Sequence, residues 1–205
     1  SGQSRVRRTA GGTSTIALGA ITRNATVGGV IDFASGVAST TTGNTGGLLG
    51  GYGCATVDGA DWAVGGGPVT PLSAYDSFAV PGTDKNILLT GSGSTAGTSV
   101  STLKIVPAAP GESLTLGRLV TLSRGGLLFL GSEDYAITGG SLRGRTEYQG
   151  DLCIHTYGSG TLTIGSQIAN GNTMSLVKAG PGTLTLTCPT NSYSGPTFLN
   201  NGVLA

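Results

Sequence analysis

Four residues spaced by two could do chemistry: Asp151, Cys153, His155 and Tyr157. On an extended strand they share one face, with Leu152 and Ile154 on the other, core-directed face. A thiol flanked by a carboxylate and an imidazole is the donor set of a metal site or an activated nucleophile. Three such ligands on one strand spread over about 13 Å, too far for one ion without strong bending. The row therefore reads as an exposed structural face. Asp58 and Asp61 flank Gly59-Ala60 ahead of Trp62 and offer a second carboxylate pair. A calcium-binding β-roll needs a repeated glycine-aspartate nonapeptide, which this chain lacks, so a turn beside a packed tryptophan is expected. Glu133 and Asp134 are adjacent and would point to opposite faces of a strand, which is no acid/base pair. The cations Lys85, Lys104, Arg118, Arg124, Arg143 and Arg145 are scattered along the chain, without the carboxylates that a polysaccharide lyase gathers in a cleft. No glycine run leads into the Lys-Ser/Thr and helix of a phosphate loop. The expectation is a chain that is not an enzyme, with no catalytic residue, no cofactor and no metal.

The elements that would carry these side chains are strands. Of 205 residues, 38 are glycine; charged residues make up 10% and hydrophobic residues 38%. Helix formers are sparse, and glycine interrupts almost every window long enough for a helix. Apolar and β-branched runs recur between Gly, Ser, Asn and Pro, at Thr15–Ile21, Gly29–Phe33, Ala55–Val57, Trp62–Val64, Ser77–Val80, Ile87–Thr90 and Thr102–Val106. They continue at Ser113–Leu116, Leu119–Leu122, Leu127–Leu130, Tyr135–Thr138, Leu152–Thr156, Thr161–Ile164, Ser175–Val177, Gly182–Thr187 and Thr197–Leu199. Thr40–Gly51 and Gly65–Ser73 read as outward loops.

A motif of glycine, one small or β-branched residue and leucine recurs at Gly140, Gly160, Gly182 and Gly202, in steps of 20, 22 and 20 residues. A helix-free repeat of this size marks a solenoid. The expected fold is all-β, a right-handed parallel β-helix with extended loops in its N-terminal half. Residues 1–205 form one solenoid of roughly nine or ten coils, about 45 Å long at the strand spacing of a sheet. In Thr183-Leu-Thr-Leu-Thr187 the leucines share the core face and the threonines the wet one.

The formal net charge is +1. Arg5, Arg7 and Arg8 form the one basic cluster, too small for a nucleic-acid footprint, and read as a solvated end segment. No apolar run is long enough for a membrane-spanning helix, and SGQSRVRRTAGG has no signal-peptide core. Three cysteines, Cys54, Cys153 and Cys188, allow at most one pair, and any of the three pairings is open.

The last thirty residues carry Lys178, Gly180-Pro-Gly182, Thr183-Leu-Thr-Leu186, Tyr193, Gly195, Asn201 and Gly202. With these, Leu176–Ala205 resembles the autotransporter-associated β-strand repeat of bacterial passenger regions. The usual repeat has glycine where Cys188 stands and is one residue shorter before its tyrosine. Gly125-Gly-Leu-Leu128, Ile137-Thr-Gly-Gly140 and Asp151-Leu-Cys-Ile-His155 resemble segments that precede the repeat in large β-helical surface proteins. So do Arg23-Asn24 with Asp32-Phe33, Leu49-Gly-Gly51, Thr56-Val-Asp-Gly59 and Asp61-Trp-Ala63. The resemblance places His155 as scaffold. It implies a secreted or bacterial cell-surface β-helix, a segment of a longer surface protein, with 176–205 as its best-matching repeat. The chain's end on a coil motif invites further coils. The expected role is a structural, non-catalytic building block of an extracellular fibre that self-associates end to end or side to side through stacked coils. The alternative is an adhesin module that binds glycan or a cell surface through its outward loops. No nucleic acid and no membrane-spanning segment is expected.

Overall fold

The computed structural model describes residues 2–9, 11–24, 27–79, 82, 84–147 and 150–205. Every named element is a strand, and parallel strands stack into a β-solenoid of about eight turns, fewer than the coil count expected above.

The body is built from two parallel ladders. The first runs through Asn86–Thr90, Thr98–Val106, the C-terminal part of Ser113–Leu130, Asp151–Tyr157, Ser175–Ala179 and Thr197–Leu199. The second runs through Gly93–Thr95, the N-terminal part of Ser113–Leu130, Tyr135–Arg143, Thr161–Ile164, Thr183–Leu186 and Val203–Leu204. In-register stacking turns the alternation within each strand into columns. Leu114, Ile137, Ile164 and Leu186 form one column, and Tyr135, Leu162, Leu184 and Leu204 another. Ile87, Leu103, Leu127 and Ile154 form a column on the opposite wall. Nearly all of these side chains are fully buried in one aliphatic core. No single coil could bury such a face; each neighbour covers the next. Thr161, Thr163, Thr183 and Thr185 alternate with the core leucines and stay half-exposed, as the Thr-Leu pattern predicts.

One column carries a charge. Ile154 is registered on Lys178, whose side chain is fully buried. Its three ammonium protons go to the carbonyls of Ala179 at 3.0 Å, Gly180 at 2.8 Å and Asn201 at 3.0 Å. Burial pulls this amine down to about 8. Three carbonyls fully occupy its donors, so the lysine closes the corner of the coil without a carboxylate partner.

Several expected boundaries shift. Ser113–Leu116, Leu119–Leu122 and Leu127–Leu130 merge into one strand, Ser113–Leu130, that turns a corner where the register slips between Leu116 and Leu119. The stretch Thr15–Ile21 keeps only Ile16–Ala17, because only those residues find a partner strand, Ala38–Thr40. Of Ser77–Val80, Phe78 and Ala79 lie in a turn and the pairing residue is Asp76; Val80 lies outside the described residues.

The first seventy residues form separate sheets. Gln3–Val6, Val30–Phe33 and Ala55–Val57 stack in parallel, and the antiparallel Asp61–Val64 and Thr70–Pro71 follow. Phe33, Ala38, Leu49, Val57, Ala63 and Val69 make this module's own small core. The loop Thr40–Gly51 does not project outward. It closes as a hairpin of Asn44–Thr45 against Leu48–Leu49, and both leucines are buried. The Asn44 side chain clasps the Gly65 backbone at both its N–H and its carbonyl. Residues Gly65–Ser73 likewise hold two short strands, paired to Ala38–Thr40 and Asp61–Val64. Amide groups in these loops find partners inside the module, which costs less than leaving them unpaired at a packed surface.

Candidate functional site: the seam between the N-terminal module and the solenoid

Asp151, Cys153, His155 and Tyr157 do share one face, with Leu152 and Ile154 in the core behind them. That face is not exposed. Asp151 and Cys153 are fully buried and His155 is 1% exposed, because the N-terminal module lies over them. The expectation of a water-facing row fails at this point: the covering residues come from about a hundred positions upstream.

Cys54 and Cys153 form a disulfide across the seam, 99 residues apart in sequence, and Cys188 is free. The bridge is packed among Val30, Val177 and Ala179. Beside it, Arg23 meets Asp151 in an ion pair at 2.5 Å, with the arginine side chain 12% exposed and the aspartate fully buried. The Arg23 Nε donates to the carbonyl of Gly29 at 3.0 Å. Burial raises the Asp151 carboxyl above its usual range, and Arg23 and then Arg145 oppose that shift. Arg145 lies 4.3 Å from the centre of the Tyr52 ring and is paired with Glu147.

Cys54, Cys153 and Asp151 bring their ligand atoms within 4.8 Å of one another. The two sulfurs are bonded to each other and the carboxylate is spent on Arg23, so this form offers no thiolate to an ion. His155 does not join them. Its Nε2 lies 3.2 Å from the Gly53 carbonyl, while its ring meets Trp62 edge-on at 5.6 Å and stacks on Tyr157 at 6.5 Å. Trp62 is fully buried against Leu48 and Leu128. Tyr157 in turn takes a hydrogen bond from Gln3 at 2.6 Å. Two glycines permit this close approach. A Cβ on Gly53 would sit 2.4 Å from the Gly126 Cα, and one on Gly126 would strike both Gly53 and the Trp62 ring.

The other candidates serve the same seam or none. Asp61 accepts from Lys104 and, at 2.9 Å, from the Tyr75 hydroxyl; Asp58 accepts from the Ser35 amide at 3.1 Å. These two carboxylates hold different partners. Asp134 caps the Thr161 amide at 2.7 Å from the position just before the strand Tyr135–Arg143 rather than from within a strand. Lys85 pairs with Asp76, and Arg143 donates to Thr121. Sequence reasoning named Lys178 and Arg23 only as parts of the repeat resemblance and missed the burial of one and the ion pair of the other. The alternation Leu176-Val-Lys178 already put the lysine on the leucine face. Nothing local pointed Arg23 at Asp151.

The His155 environment has a pH consequence. Burial drives its imidazole from 6.5 down to about 4, with the Gly53 carbonyl opposing and the charges of Lys178 and Arg23 reinforcing the shift. Between those values the unfolded state binds the proton and the folded state does not, so stability rises with pH there and is lost as pH falls. That difference between the folded and unfolded states corresponds to about 3 kcal/mol. Denaturant titrations between pH 7 and pH 4 should show the native chain losing about that much more than His155→Phe. Equal losses would mean that the imidazole titrates freely.

No helix is long and apolar enough to cross a membrane among the described residues. The passenger-associated-transport-repeat family matches residues 176–205. The adhesin BmaC autotransporter of Brucella suis biovar 1 (strain 1330) is 38% identical over 213 aligned residues, which cover 95% of this chain and 6% of that protein. The chain thus spans about one-sixteenth of the length of the curated relative it matches. No solved structure matches. Relatedness to an autotransporter makes this a secreted or cell-surface bacterial sequence. Residues 176–205, which close the solenoid, thus match the passenger-associated-transport repeat, and the chain is related in sequence to a stretch of a bacterial autotransporter adhesin.

Proposed function

We propose that this chain is a non-catalytic, structural length of a cell-surface adhesin. The solenoid serves as a stiff stalk, and the N-terminal module is a side-mounted surface pinned to it. The unbroken parallel ladder with its continuous aliphatic columns carries this reading, since stacking of that kind resists bending and extends coil by coil. Its charges are spent on one another (Arg23 on Asp151, Lys104 on Asp61, Lys85 on Asp76), which leaves little for acid/base work. Coils associate further by stacking. Light scattering and electron microscopy of the purified chain test the stacking, with elongated assemblies expected. A strictly monomeric particle at high concentration would remove self-association.

Adhesion is the second reading, favoured by the sequence relationship to an adhesin. It does not run through a free Thr40–Gly51 loop, whose leucines are buried. Bacteria displaying the full passenger with and without these 205 residues should differ in attachment to host cells. Equal attachment would leave the chain as spacer alone.

A further inference from the structure

The arginine cluster at the start of the chain is not a solvated tail. Gln3–Val6 is a strand paired in register with Val30–Phe33, which fixes where the following arginines stand. Arg7 and Arg8 line a shallow concavity of about 400 Å³ together with Thr9, Gly12, Ser14 and Ile16. The Arg8 guanidinium is held in place by two carbonyls, donating to Gly12 at 3.2 Å and to Gly36 at 2.7 Å. Those two bonds leave the rest of its five N–H donors free for a ligand. Arg7 is 58% exposed, with one long contact of 3.9 Å to Asp32. Arg5, exposed, shares a strand face with Arg7 by alternation.

The nearby acids offset only part of this charge. The Asp32 carboxylate is buried and already accepts from Thr56 at 2.8 Å and from the Gly59 amide at 2.7 Å. Asp58 caps Ser35. Arg5 and Arg7 are exposed and Arg8 half-buried, so three guanidiniums stand against the Asp32 carboxylate, whose second oxygen faces Arg7, and the Asp58 carboxylate.

We propose that this concavity binds an acidic glycan through its sulfate or carboxylate groups. Forked guanidiniums recognise planar and tetrahedral oxyanions with paired hydrogen bonds. The preset position of Arg8 lowers the ordering cost of binding. The exposed Thr9 and Ser14 hydroxyls suit the hydroxyls of a sugar. No aromatic side chain lines the concavity to stack a base, and two or three cations are too few for a duplex footprint. The site gives the adhesin reading a ligand class, and only its biological meaning rests on that reading.

The test uses the purified 205-residue chain on immobilised heparin, with neutral dextran and duplex DNA as parallel supports. Retention on heparin should fall as salt rises, with a log–log slope of about −2 to −3 for two or three contacts. Arg5→Gln/Arg7→Gln should weaken it about tenfold or more, and Arg8→Lys should weaken it while keeping the charge. Arg118→Gln, an exposed cation elsewhere, should leave it unchanged. No retention, equal retention on dextran or DNA, or an equal loss with Arg118→Gln would each overturn the assignment. None of these failures touches the attachment experiment above, which measures the displayed passenger on cells.

Discussion

Replacing Cys54 and Cys153 together by serine should lower the unfolding free energy by about 5 kcal/mol. The bridge closes a loop of 99 residues, and in the chain-entropy account a cross-link over about 100 residues removes about that much from the unfolded state's freedom. The double variant also gives up the packing of two buried sulfurs among Val30, Val177 and Ala179. Denaturant titrations of the native chain, with and without a dithiol reductant, and of the double variant give the number directly. The solenoid behind the seam keeps its own core of Leu, Ile and Phe side chains. Hydrogen exchange should therefore rise first at the module, at Val30–Phe33 and Ala55–Val57, and much less at Leu162 or Leu184. If the reduced chain unfolds at the same denaturant concentration as the oxidised one, the bridge adds nothing that the seam's other contacts do not already supply.

Asp151→Ala should cost about 3 kcal/mol, for a different reason. It strips the partner from Arg23, whose charge is then left mostly buried between the module and the solenoid. Removing one member of a buried pair costs more than the pair is worth, because the survivor has neither water nor a counterion. The double change Arg23→Leu/Asp151→Leu separates the two effects. It should recover most of the loss, since replacing both charges by apolar groups of similar size removes the desolvation cost. A double variant as unstable as Asp151→Ala would place the cost in lost shape rather than stranded charge. Chemical denaturation at pH 7 is the measurement.

What could be read from the sequence was what depends on near neighbours. Thr183-Leu-Thr-Leu-Thr187 shows its wet and dry faces because alternation is a property of one strand. The steps from Gly140 to Gly202 show the stacking because each coil repeats the demand of the last. The same local rule put Asp151, Cys153, His155 and Tyr157 on one face, correctly. It could not say what that face meets. Water and the N-terminal module are alternatives that only docking decides, and the docking residues Gly53, Cys54 and Trp62 lie about a hundred positions away. A signal was present: the strands of the other ladder, Thr161–Ile164 and Thr183–Leu186, put threonine on their outer faces, whereas this strand puts cysteine, histidine and tyrosine there. The loop Thr40–Gly51 misled for the reverse reason. Its glycines and threonines look solvent-loving, but Leu48 and Leu49 anchor it.

The sequence separations across the seam carry a consequence for the order of events. Rung-to-rung pairs join residues about 22 apart, as in Leu162 with Leu184. Those coils can add one after another with small loop-closure costs. The module's anchors reach much further. Gln3 contacts Gly180 and Asn201 at separations of 177 and 198 residues, and Asn200 donates to the Gly28 carbonyl across 172. The N-terminal module therefore docks last in full, although its residues come first in the chain: its resting place is the wall that the final coils complete. Refolding followed at Trp62, whose burial reports that docking, should lag behind the formation of parallel strand structure.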